Sequence, residues 1–337
     1  MNRSLVVVCA LAISACTAQR WQPLQGAAID DHMAHMAPSD IPMSALVSGG
    51  ESGQGVAGLP PSNSTAAARL AASPRHGEWV KIAWTPGSQD SLMAWIVYPA
   101  QREKASVVVV VHEIYGLSTW VRGLTDQVAA EGFVAIAPDF NSRVRGGPST
   151  VELSMDSATK IIRGVDAAEK NRAIAAAANY AMTQPSAQQR YAVIGYCWGG
   201  SAVWGHAVNG GVSGFRGGVA FYGSPYTVPG QPATATTPAV PASLAIDSLA
   251  KITKPVMLLN GSRDARIGAL MPAIDSVMKS LGKDYSGINY DGAIHGFLRA
   301  QDDPATGNNA EAGPANLAAA KDAWPKTVAF LKKHLAR

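Results

Sequence analysis

The sequence predicts an α/β protein built on a doubly wound, mostly parallel sheet of about eight strands. Three observations carry this expectation. Short β-branched apolar runs alternate with helical patterns from about residue 76 onward. One run, 106–112, holds five consecutive valines, the texture of a strand buried on both faces. A third apolar run enters Gly195-Tyr196-Cys197-Trp198-Gly199 and passes directly into a helical pattern.

The elements follow in order. Residues 79–84 and 92–98 are rich in β-formers and are separated by Pro86-Gly87, so they form an antiparallel hairpin. Residues 106–112 form the valine strand. Residues 120–131 have helical spacing, and Gly132 ends that helix. A second buried strand occupies 133–138. An Ala-rich helix spans 166–182 and leads to a strand at 191–195, then to a helix starting near Gly199. Further strands fall at 217–222, 255–260 and Tyr285–Tyr290, and 317–335 is a closing helix. The Pro/Ala/Thr-rich stretch 223–242 is longer than a tight connection. One domain, residues 76–337, accommodates all of these elements.

The segment ahead of the domain reads as an address. Arg3 supplies a positive charge, and the apolar run 5–13 is about half the ~20 residues that a spanning helix needs. Ile13-Ser14-Ala15-Cys16 resembles a bacterial lipobox, which makes 1–16 a signal peptide and Cys16 the lipidated residue. Simple cleavage near Ala18, with Cys16 discarded, is the alternative. Either route exports the chain. Thr17 after the cysteine favours the outer membrane of a Gram-negative cell, facing the periplasm. Residues 17–75 are rich in Ala, Gly, Ser and Pro and read as a flexible linker. Asp31-His32-Met33-Ala34-His35-Met36 within it suits copper by ligand type, but polar linker filler is the favoured account.

Composition excludes several classes. With 47% hydrophobic and 15% charged residues, the bulk of the chain is not disordered. A net charge of +4 over 337 residues excludes a strongly basic nucleic-acid binder. The three cysteines are Cys9, Cys16 and Cys197. The first two belong to the signal, so Cys197 has no disulfide partner in the domain. It is either an inert buried thiol or a nucleophile.

The surroundings of Cys197 favour the nucleophile. Gly-x-Cys-x-Gly between strand and helix has the form of a nucleophile elbow with cysteine in place of serine. Its glycines leave room for a strained turn, and the helix N-terminus favours a thiolate. The Trp198 N–H faces the position of an oxyanion. A thiol nucleophile needs a base, and the base needs an orienting carboxylate. Asp264 follows the strand 255–260 and His295 follows Tyr285–Tyr290, in the chain order such a site requires. Asp291 is a second carboxylate near His295. The loop His112-Glu113-Ile114-Tyr115-Gly116-Leu117 follows the valine strand, with Ile114 N–H as the second oxyanion donor and Glu113 half-buried at the active edge.

Over residues 76–335 the sequence resembles the dienelactone hydrolase family of the α/β-hydrolase fold. The stretches that carry the resemblance are 112–117, 131–139, Gly195-Tyr196-Cys197-Trp198-Gly199-Gly200, His295-Gly296-Phe297, and the alanines with Trp324 in the last helix. The resemblance implies a lactone or ester hydrolase with Cys197 as nucleophile, His295 as base, Asp264 as its orienter, and Glu113 paired with the resting thiol and helping to generate the thiolate when substrate enters. It further implies that Arg143 and Arg299 bind a substrate carboxylate, with Tyr115 also lining the substrate site. Arginine suits that task because its planar fork meets a carboxylate bidentately. No cofactor or metal is expected. The expected partner is a small-molecule lactone or ester, with membrane contact only through the lipid anchor, no nucleic acid, and a monomeric chain. A general carboxylesterase, and a non-catalytic envelope-attached binding protein, are the alternatives.

Overall fold

The structure is a computed structural model and describes residues 55–336 apart from 86, 150–152, 235, 241 and 302–308. The signal segment, the Cys16 lipobox and the His/Met run at 31–36 lie outside the described residues. No helix among the described residues is long and apolar enough to cross a membrane.

The predicted hairpin is β1 (Gly77–Ala83) and β2 (Ser91–Val97), antiparallel from Gly77↔Val97 to Ala83↔Ser91. The valine strand is β3 (Ala105–Val111), followed by β4 (Val134–Asp139), β5 (Ala187–Tyr196) and β6 (Phe215–Phe221). A short ribbon, β7 (Thr227–Val228) and β8 (Ser243–Leu244), then leaves the sheet. The chain returns as β9 (Val256–Gly261) and β10 (Tyr285–Tyr290). The sheet has eight strands in the order β1-β2-β4-β3-β5-β6-β9-β10. From β4 to β10 all neighbours are parallel. The ribbon occupies the long connection that follows Gly223, where Val228 of the ribbon and Val240, in an isolated bridge to Gln231, are exposed.

Every residue of β3 and of β4 is buried. Burying each such valine is worth about 1.5–3 kcal/mol, which accounts for a β-branched run at the centre of the sheet. The helices that cover the sheet are capped by sequence. Ser118 accepts from Val121 N–H to start α2 (Thr119–Ala130), and Asp166 accepts from Glu169 N–H to start α5 (Ala167–Thr183). Between them lie the short α3 (Ser142–Arg145) and α4 (Met155–Arg163). The elbow helix is α6 (Trp198–Val208), and α7 (Ile246–Leu249), α8 (Ala265–Ser280) and α9 (Asn309–His334) complete the set.

Register makes the site. Val111 pairs with Gly195, Tyr196 with Phe221, Phe221 with Leu259 and Gly261 with Tyr290. The parallel strands therefore end level, and the loops leaving them emerge on one edge.

Packing on the domain begins ahead of residue 76. Residues 59–62 are buried, and Ala66–Ala71 forms a helix, α1, against α2. Arg69 holds both the Leu59 carbonyl at 2.7 Å and Gln127 Oε1 at 2.7 Å, and Arg75 pairs with Asp126. The folded unit thus includes the end of the segment assigned to the linker. Its high content of Ala, Ser and Pro conceals a few apolar contacts and many main-chain ones.

Candidate active site

The elbow carries visible strain. Cys197 lies between β5 and α6 with φ 55° and ψ −115°, a sparsely populated positive-φ conformation that costs a non-glycine residue about 1–3 kcal/mol. Both flanking glycines are required by close approach. A Cβ at Gly195 would run into the Gly199 carbonyl, and one at Gly199 into the carbonyls of Val111 and His112. The turn is pinned by Cys197 N–H donating to Phe221 O at 3.0 Å. The thiol is buried and stands at the N-terminus of α6.

Asp264 and His295 meet as expected. Asp264 is the N-cap of α8: one carboxylate oxygen accepts from Ile267 N–H at 3.3 Å. The other takes His295 Nδ1–H at 2.6 Å. That bond sets the tautomer and leaves Nε2 as the nitrogen on the opposite edge of the ring. Burial alone would push the imidazole down, but the Cys197 sulfur and the Asp264 carboxylate outweigh it and hold the ring well above the ordinary histidine range. Burial likewise works against the Asp264 carboxylate, and the His295 bond overcomes it and keeps the acid below its usual value. Asp291 is exposed and instead accepts the Ser262 hydroxyl at 3.3 Å. Of the two aspartates, Asp264 is the partner of His295.

Glu113 is buried, and its carboxylate pairs with Arg299 Nε at 3.0 Å, with side chains 5% and 18% exposed respectively. The pair sits beside Gly296, directly after the histidine. Arg299 also lies over the Tyr115 ring, 5.6 Å from its centroid. Of the expected substrate-binding residues, Arg299 and Tyr115 therefore join the cluster, with Arg299 already matched to an internal carboxylate.

Arg143 departs from the expectation. Its two terminal nitrogens are taken by Glu169 and Asp90, each at 2.6 Å, and its guanidinium lies 3.9 Å from the Trp84 ring centroid. The physical reason is local: two carboxylates and an indole face within reach occupy the fork. Its side chain ties the β1–β2 hairpin to α5.

Ile114 and Trp198 are both buried, and among the described residues neither amide N–H is bonded to a carbonyl. Sequence reasoning missed two residues nearby. His112 is fully buried, bonds Glu113 O through Nδ1 at 2.6 Å and accepts from Phe140 N–H at 3.3 Å through Nε2. Burial lowers it to about 4, so it is a neutral clasp that fixes the loop carrying Glu113. Tyr222 follows β6 with φ 39°, is fully buried with no partner for its hydroxyl among the described residues, and packs its ring 4.9 Å from that of His295. The signal for both was position at a strand end.

Comparisons with known proteins agree with this architecture. The model of the dienelactone hydrolase family matches residues 92–335. A Yersinia pestis protein named "Putative carboxymethylenebutenolidase" is 26% identical over 262 residues, covering 77% of this chain and 90% of that protein. A Bradyrhizobium protein named "Probable 2-oxo-3-(5-oxofuran-2-ylidene)propanoate lactonase" is 26% identical over 269 residues, covering 77% of this chain and 94% of its own length. Among solved structures, a dienelactone hydrolase-like promiscuous phosphotriesterase from metagenomic libraries superposes with a TM-score of 0.54 at 19% identity, covering 77% of this chain and 99% of that one. The strand order, the elbow and a family match across more than two-thirds of the sequence lead to one conclusion: the chain belongs to the dienelactone hydrolase family.

Proposed function

We propose that the protein hydrolyses a lactone or ester through an acyl-enzyme on Cys197. The observation that supports this most is the conjunction at one sheet edge of a strained, buried thiol and a histidine oriented through its Nδ1 by a buried carboxylate. In the proposed cycle the Cys197 thiolate attacks the acyl carbon, and the carbonyl electron pair moves onto an oxygen held by Ile114 and Trp198 N–H. Collapse expels the alcohol oxygen, which takes a proton from the His295 imidazolium. For a lactone the alcohol stays attached to the acyl group. Water then gives a proton to His295 and its oxygen to the acyl carbon, and the acid leaves as the thiolate re-forms. Glu113 and Arg299 border the thiol and set its charge environment.

Relatives named as carboxymethylenebutenolidase and lactonase support a carboxylated lactone as substrate. Arg299 is then the residue placed to meet its carboxylate. A second reading, a general esterase for neutral substrates, is favoured by the engagement of Arg143 with Asp90 and Glu169. Turnover of a carboxylated lactone and of a neutral ester of equal size by the purified chain separates the two. Preference for the acid by about tenfold or more, some 1.4 kcal/mol, supports the first, and equal turnover supports the second. Hydrolysis of neither overturns the enzyme assignment.

Export with lipidation at Cys16, and an outer-membrane anchor facing the periplasm, are part of the same proposal and rest on the lipobox-like sequence. Labelled palmitate incorporated by the full chain and lost in Cys16→Ser supports them. An unlabelled mature protein beginning after Ala18 overturns lipidation.

A further inference from the structure

A buried lysine stands beside the elbow, and the proposed cycle does not use it. Lys170, near the start of α5, is 6% exposed. Lysine is seldom buried to this extent unless a carboxylate pairs with it, and among the described residues no ion pair holds Lys170. The charged group that acts on it is Asp166, the N-cap of its own helix. Its ammonium instead lies over the Trp198 ring, 4.6 Å from the centroid.

Trp198 is the elbow residue whose N–H is proposed to hold the acyl oxygen. Its indole is buried, and Nε1–H finds no hydrogen-bond partner among the described residues. Ring contacts and one charge therefore hold it in place. His112 lies nearly parallel to it, with centroids 5.8 Å apart, and Phe140 stands edge-on at 5.0 Å. These two come from the loops after β3 and β4 and are tied together, since Phe140 N–H donates to His112 Nε2. Lys170 adds the contact from α5. The peptide that carries the Trp198 N–H is fixed at its carbonyl end, where Cys197 O accepts Ser201 N–H at 3.2 Å. The N–H end has no main-chain bond among the described residues, so the seating of the Trp198 side chain governs where that donor points.

We propose that Lys170 is a positioning residue: its ammonium clamps the Trp198 indole against His112 and Phe140 and so aims the Trp198 N–H at the acyl oxygen. A cation over an indole is held most strongly where both are out of water, and a neutral amine lacks that attraction. The clamp therefore exists only while Lys170 is protonated. Burial lowers its ammonium from the usual 10.5 to about 8. The clamp is whole well below that pH and is lost as pH rises through it. The other titratable groups near this cage do not take over the role. Glu169 is committed to Arg143, which lies on Trp84 together with Arg172. Asp139, ahead of Phe140, is held by Ser149 and the Asn141 N–H. His112 is lowered to about 4 by burial and is neutral where Lys170 titrates. The inference rests on Trp198 being an oxyanion donor, and its test keeps the two apart.

The test uses the full chain, wild type and with Lys170→Met or Lys170→Arg, and follows three readouts against pH. The first is fluorine NMR of 5-fluorotryptophan-labelled protein, with the Trp198 resonance assigned by its absence from Trp198→Phe. That resonance should titrate in the wild type with a midpoint near 8 and stay still in both lysine variants. The second is hydrolysis of a neutral chromogenic ester. Lys170→Met should lower kcat by about 3- to 10-fold at neutral pH, part of what a desolvated cation–π contact is worth. KM should be unchanged, and the variant should converge with the wild type once the wild-type lysine has lost its proton. Lys170→Arg keeps its charge, so it should retain kcat at neutral pH and hold it through the range where the wild type declines. The third is alkylation of Cys197 by iodoacetamide, which forms no oxyanion and should run at the wild-type rate in both variants. A pH-independent loss of kcat in Lys170→Met, or alkylation that falls in parallel with kcat, overturns the proposal. So does a Trp198 resonance that ignores pH in the wild type, a result that requires no turnover by the chain. A titrating resonance with wild-type kcat in Lys170→Met overturns the donor role of Trp198 instead.

Discussion

Replacing Asp264 by asparagine removes one charge without changing shape, and its cost can be worked from two bonds. The carboxylate gives one oxygen to Ile267 N–H at 3.3 Å and the other to His295 Nδ1–H at 2.6 Å. An amide cannot serve both. If its oxygen keeps the helix cap, its NH2 faces Nδ1, and the imidazole must place its proton on Nε2, where it cannot accept one from the thiol. If it flips, the histidine bond survives and the cap is lost, at about 1 kcal/mol of stability. The charge-assisted bond itself is worth about 1.5–3 kcal/mol. Loss of the charge that supports the imidazolium adds to this, with about 4 kcal/mol as the ceiling for a near-surface pair. We therefore expect Asp264→Asn to lower kcat/KM by roughly 10²–10³-fold in hydrolysis of a chromogenic ester. The alkaline limb of the pH profile should move to lower pH, because Asp264 is one of the groups holding the His295 ring up. Asp291→Asn, with its exposed carboxylate on Ser262, should stay within about twofold. An Asp264→Asn enzyme with near wild-type activity, or a larger loss in Asp291→Asn, refutes the assignment of the orienting acid.

Other outcomes rest on the same geometry. Arg299→Met leaves the buried Glu113 unpaired and should cost about 3–5 kcal/mol of stability. Adding Glu113→Gln should recover much of that in denaturant titration, and strictly additive losses would contradict the ion pair. Arg143→Ala should lower stability by loosening the β1–β2 hairpin, with equal effects on turnover of carboxylated and neutral substrates. A loss confined to the carboxylated substrate would return Arg143 to the site. His112 and His206 are buried and lowered to about 4 and about 3, chiefly by desolvation. Because these values lie below the unfolded value of about 6.5, their contribution to stability is fully present above that pH and fades as pH falls toward the folded values. NMR titration should find both rings neutral at about pH 5.5, a unit below that reference, and an unshifted midpoint for either would contradict the buried placement.

Much of this was legible in the sequence, for physical reasons that can be named. Consecutive valines at 107–111 have no polar face to offer, so they specified a central strand. Gly195 and Gly199 marked the elbow because only glycine tolerates the carbonyls that press on those positions. Asp264 and His295 were found because a parallel sheet with level strand ends delivers the loop after each strand to the same edge. The misses share another cause. Arg143 sits in the family's motif, but which carboxylates surround an arginine depends on Asp90 and Glu169, far away in the chain. Residues 55–75 look like linker because they carry few large apolar residues, and composition does not record the main-chain bonds of Pro60, Pro61 and Asn63 or the reach of Arg69 and Arg75 to α2. Tyr222 carries no motif, and its strained backbone and its packing on His295 exist only once β6 lies beside β5.

The account turns on whether a covalent bond to substrate forms at Cys197. Rapid acid quench of the enzyme with a slowly deacylating ester, followed by peptide mass mapping, reads this directly. The account predicts an acyl mass on the peptide containing Cys197, absent from Cys197→Ala and accumulating further in His295→Gln as deacylation slows. An acyl adduct on any other residue, or full hydrolysis by Cys197→Ala with no adduct, would contradict it.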